Sequence, residues 1–153
     1  MTRSLRTAFV AALLVTGAGA QAQAPSPYTG LTERPIKALS AESTADLLAG
    51  RGMSLALAAE LNAYPGPAHV LELAERLGLS PAQHEATRKL AAAMTSDAQA
   101  LGRRIVEAER ALDQAFAHGR IAAPALRAQI GAIAALQGEL RARHLETHLY
   151  QRA

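Results

Sequence analysis

Four side chains in this sequence have the types and spacing to hold a metal ion. His144 and His148 stand four residues apart, so on a helix both imidazoles leave the same face and can share one cation. Far upstream, His69 is followed three residues later by Glu72, one turn along the same helical face. Imidazole and carboxylate donors of this kind suit zinc, nickel, cobalt or copper ions. A structural role competes with the metallic one, since a protonated histidine in the last turn of a helix gains up to about 1 kcal/mol from the helix dipole. The run His144-Leu145-Glu146-Thr147-His148 is not a zinc-protease motif. There the glutamate base directly follows the first histidine, whereas Glu146 stands two residues on, turned roughly 200° away.

Little else in the chain could catalyse a reaction. There is no cysteine, which removes disulfides and thiolate ligands together. No nucleophile is paired with a base, and no glycine-rich loop could cradle a phosphate. The basic pairs Arg103-Arg104 and Arg141/Arg143 share their helices with Glu107, Glu109, Glu139 and Glu146, the pattern of a solvated face rather than a nucleic-acid surface. His84 and His118 fall near the two ends of one long helix and read as solvated. The sequence therefore predicts a non-enzymatic protein that does not bind nucleic acid.

The elements that must position these histidines begin behind an export signal. Residues 1–24 carry Arg3 and Arg6, an apolar run from Ala8 to Val15 and several A-x-A sites, the layout of a cleavable secretory peptide. The apolar run is well short of the roughly 20 residues that span a bilayer, which favours cleavage over a retained anchor. Its loss would lower the formal charge of +3 by two, so a high isoelectric point is no sign of a nucleic-acid ligand. Residues 25–39 hold prolines and a glycine without periodicity and are predicted to form an extended arm.

The domain proper is expected over residues 40–150. Ser40 should cap a helix that Gly50 ends; a second piece runs from Met53 to Asn62, and a third from Pro67 to the αL glycine Gly78. Ser80 and Gln83 form a capping box with Pro81 at the first helical position and Leu79 as half of a hydrophobic staple. The helix they start runs without proline to His118. Its apolar positions Leu90, Met94, Ala98, Leu101, Ile105, Ala108, Leu112 and Ala115 follow the fours and threes of a coiled-coil seam,. Gly119 and Pro124 then bracket a turn into a final helix reaching Tyr150, with a matching stripe at Leu126, Ile130, Ile133, Leu136 or Gln137, Leu140 and His144. The fold class is accordingly all-α, a long antiparallel helical hairpin with short N-terminal helices. An alanine-rich, aromatic-poor chain buries little per helix, which favours a homodimer.

An export signal, a short helix, the helix start Leu79-Ser80-Pro81-Ala82-Gln83 and a long hairpin together resemble the LTxxQ-motif family of periplasmic proteins. That group joins the Spy/CpxP-type chaperones and ZraP with the CnrX-like heavy-metal sensors. Serine replaces the threonine of the motif here, and no second copy follows the last helix, which departs from the chaperone pattern. The resemblance covers roughly residues 40–150. It implies a periplasmic, non-catalytic stress-response protein whose partners are unfolded or misfolded envelope proteins, a membrane sensor or an anti-sigma factor. In a chaperone of this kind, Met53, Leu55, Leu57, Leu61 and Met94 would offer adaptable apolar contacts to clients. In a sensor or metal buffer, His69, Glu72, His144 and His148 would hold the ion. A third reading is a structural coiled coil that binds one partner.

Overall fold

The computed structural model describes residues 26–153, and the export signal expected over residues 1–24 lies outside them. The chain is all-α. Among the described residues the regular elements are six helices: α1 (Ala41–Ala49), α2 (Leu57–Glu60), α3 (Pro67–Glu72), α4 (Ala74–Leu77), α5 (Pro81–Ala117) and α6 (Ala123–Arg152). No helix among them is long and apolar enough to cross a membrane.

Local chemistry sets the helix ends. The Ser40 hydroxyl accepts from the Ser43 N–H at 2.9 Å, and Gly50 closes α1 at φ 68°, a left-handed value that glycine adopts without a Cβ penalty. At the start of α5 both arms of the capping box form. The Gln83 N–H donates to Ser80 Oγ at 3.2 Å, and the Ser80 N–H donates to Gln83 Oε1 at 3.0 Å. The middle pieces are shorter than their periodicity suggests. Residues 53 and 54 take left-handed φ values, which confines α2 to four residues. A break at Leu73, near φ −103° and ψ 11°, divides the third piece into α3 and α4.

The long helices α5 and α6 pair along their lengths. Arg104 meets Glu139, and Asp97 meets Arg143 at 3.4 Å. Gln151 donates to Thr87 Oγ1 at 3.3 Å. Ala98, Leu101 and Ile105 from α5 are buried with Leu136 and Leu140 from α6. Helix α1 lies across α5 on an adjoining face that the heptad stripe does not contain. A Cβ on Gly102 would collide with the Leu47 carbonyl, so the two backbones touch directly. Residues 26–39 fold as successive turns and dock: Ile36 is buried in the same core, and the Lys37 N–H donates to Asp113 Oδ1 at 3.0 Å.

Candidate functional site

The segment between Gly50 and Gly78 covers the end of the α5–α6 pair, and the histidines of α6 lie beneath it. His144 and His148 are 2% and 4% exposed, four residues apart on α6 as their spacing predicts. Both line a cavity of about 360 Å³, walled also by Glu60 and Met53 from the covering segment, His69 from α3 and Met94 from α5.

His148 is held in one orientation. Its Nδ1 lies 2.8 Å from the Tyr64 carbonyl oxygen; a carbonyl only accepts, so Nδ1 carries the hydrogen and donates it. The lone pair of the neutral ring is thereby placed on Nε2, the atom 3.9 Å from Glu60 Oε1. This is the arrangement by which a backbone carbonyl orients a ligating imidazole. Gly66 presses on the other side of the ring, where a Cβ would lie 2.8 Å from His148 Cε1. The Arg152 guanidinium stacks 4.3 Å above the Tyr64 ring, tying the carbonyl-bearing loop to the end of α6.

His144 stands in a different state. Its Nε2 is buried and meets no hydrogen-bond partner. Burial lowers its pKa, and the neighbouring His148 lowers it further, against a smaller opposing pull from Glu60. Its neutral form is therefore favoured, and a neutral imidazole is the form that can ligate. An unpartnered polar atom in an interior costs on the order of 1–3 kcal/mol. The backbone around the cavity carries strain as well. Met53, Ser54 and Ala63 have φ values of 43°, 62° and 64°, each costing on the order of 1 kcal/mol or more for a non-glycine residue. Met53 and Ser54 line the cavity, and Ala63 precedes the tyrosine whose carbonyl holds His148.

The structure brings three of the four expected ligands to one cavity and leaves the fourth outside. His69 is exposed at the rim beside the two buried histidines. Glu72 is exposed on another surface, in a depression shared with Glu75 and His84. Glu60 is the carboxylate of the cavity, brought there by the turn over residues 61–66, a non-local placement that no helical spacing announces. Among the described residues no three His, Asp or Glu side chains converge closely enough to hold a metal ion by themselves. Of the residues expected to meet clients, Leu57 and Leu61 are exposed at 43% and 79%, while Leu55 packs against the core. Met53 and Met94 join the histidines instead. Leu79 and Gln83 of the helix-start motif line a separate depression with Thr87 and Gln151.

No family model, curated protein or solved structure matches this chain.

Proposed function

We propose that this is a non-catalytic helical protein of the cell envelope, of the kind found in the LTxxQ group, that takes up a transition-metal ion between α6 and its covering segment. The buried, unpartnered Nε2 of His144 carries this reading. A polar atom left unpaired in an interior is retained at a cost to stability, and a metal ion would satisfy it. The Tyr64 carbonyl supports the same conclusion, because it leaves the His148 Nε2 lone pair free one helical turn away. His144 and His148 would be the inner ligands, and His69 and Glu60 line the same cavity. A bound cation would act as an electrophilic cross-link between helices, with no reaction attached. The paired α5 and α6 would form an antiparallel hairpin, and two copies would make the periplasmic dimer.

Titrating the full chain with Zn(II), Ni(II), Co(II) and Cu(II), with its mass followed by light scattering, tests this reading. Binding of one ion per chain is expected, lost on His144→Ala with His148→Ala. No binding of any of the four ions, or of a monovalent soft ion, would overturn it.

A second reading rests on a different observation. Leu57 and Leu61 are exposed on the covering segment near Met53, an apolar surface of the sort a holdase offers to misfolded envelope proteins. Slower aggregation of a destabilised client, abolished by Leu57→Ser with Leu61→Ser, would support it.

A further inference from the structure

The donors that line the cavity differ in exposure. The deepest are two imidazoles, His144 and His148, each at least nine-tenths buried. Met94, half-buried on α5, also walls the cavity, and Met53 stands at the mouth, 36% exposed. Glu60 and His69 are both exposed, and Glu60 Oε1 lies 3.9 Å from His148 Nε2. An ion held at His148 Nε2 would have one carboxylate beside it and the Met94 side chain on the α5 wall of the same cavity.

Two physical arguments bear on which ion that is. The Born cost of burying an ion rises with the square of its charge, so a pocket with Glu60 as its single carboxylate compensates a monovalent cation more fully than a divalent one,. Thioether sulfur is a soft donor; with imidazole it selects copper(I), whereas zinc, nickel and cobalt divalent ions gain more from harder anionic oxygen. Copper(I) also accepts low coordination numbers, which two histidines and a methionine can fill.

We propose that the cavity is a copper(I) site, with the Nε2 atoms of His144 and His148 and the thioether of Met94 as donors and Met53 guarding the mouth. The inference rests on the reading that this cavity binds a transition metal and adds the class of ion and the sulfur ligand. It also gives Met53 and Met94 a role other than contact with clients. The left-handed backbone at Met53 and Ser54 turns the covering segment where Met53 reaches the cavity.

The test is an anaerobic titration of the full chain with Cu(I) in competition with a chromophoric chelator, beside Ag(I) as a redox-inert analogue and Zn(II) as the divalent control. Tighter binding of Cu(I) than Zn(II), by on the order of a hundredfold or more, is expected. Met94→Leu, which keeps the side chain's volume, should weaken Cu(I) by about tenfold or more and leave Zn(II) unchanged. In the unsubstituted protein with carbon-13-labelled methionine methyl groups, one equivalent of Ag(I) should shift the Met94 signal and, to a lesser extent, that of Met53. Zn(II) bound at least as tightly as Cu(I), or a Met94 methyl signal unmoved by Ag(I), would overturn the copper assignment while the histidine site stood. Failure of every ion to bind would overturn the site itself.

Discussion

At Leu140, α6 buries a leucine in a cluster with Ile105 and Leu101 from α5; one turn later, at His144, the same helix buries an imidazole with an unpaired nitrogen. The first region is closely packed at its centre and apolar, with a groove of about 530 Å³ opening beside Leu47, Ile105 and Leu140. Ile105 is 1% exposed and Ala98 fully buried, and α1 approaches α5 so closely that Gly102 admits no Cβ. The second region holds a cavity, the left-handed residues Met53 and Ser54 in its wall and one buried polar atom, His144 Nε2, without a partner. Because a continuous helix runs through both, helix propensity cannot account for the difference. What differs is the cover: α1 presents a backbone edge flat against small residues, while the segment from Gly50 to Gly78 arches over α6 and leaves space. The lower end of the bundle gives up packing where it gains donor atoms, as sites for ligands commonly do.

The sharpest way to break this contrast is at the tight end. Gly102→Ala should lower stability by roughly 3 kcal/mol or more, because the obstruction is backbone and cannot rotate away; thermal unfolding measures it, and a melting temperature unchanged would show that α1 does not sit directly on α5. At the open end the sign reverses. His144→Leu should raise the stability of the metal-free protein by about 1 kcal/mol, since the unpaired nitrogen is replaced by apolar surface of similar size, while metal binding is lost. A destabilised variant that still binds metal would contradict both halves of that expectation. Ser80→Ala, which removes one arm of the capping box but lies away from both regions, should cost about 1 kcal/mol and leave ion affinity untouched.

The smallest effect is a pH dependence confined to the histidine end. The pKa of His144 is lowered on folding, chiefly by burial, so in acid the unfolded chain binds a proton that the folded chain resists. Stability tied to this residue is thus present above the unfolded value of about 6.5, and falls as the pH drops through that value toward the folded one. Denaturant titrations across this range should show the slope in the native protein and a shallower one in His144→Leu. Equal slopes in the two would place the titration elsewhere.

Much of the scaffold was legible because it is local. Ser40, Gly50, Gly78 and the Ser80–Gln83 pair act within a few residues of themselves, and an unbroken heptad stripe needs no tertiary contact to be seen. The shared face of His144 and His148 follows from spacing alone. Three features escaped because their causes are non-local. Gly102 reads in sequence as a weak position within a helix, and only the approach of Leu47 reveals its purpose. Glu60 reaches the cavity through a turn whose path is set by Ala63 and by the Tyr64 carbonyl meeting His148. Met94 sits on the apolar stripe and looks like core until the covering segment is seen to stop short of it.

Gly50 and Gly78 bracket the covering segment, each in the left-handed region, and each joins it to a helix whose position is fixed by its own cap. The segment is in effect a flap on two pins. With α1 seated against Gly102, an ion held by the histidines of α6 and approached by Glu60 would link the covering segment to the long helices beneath it. The exposed leucines Leu57 and Leu61 ride on that segment either side of Glu60, so occupancy of the cavity would be felt at the surface through those two side chains.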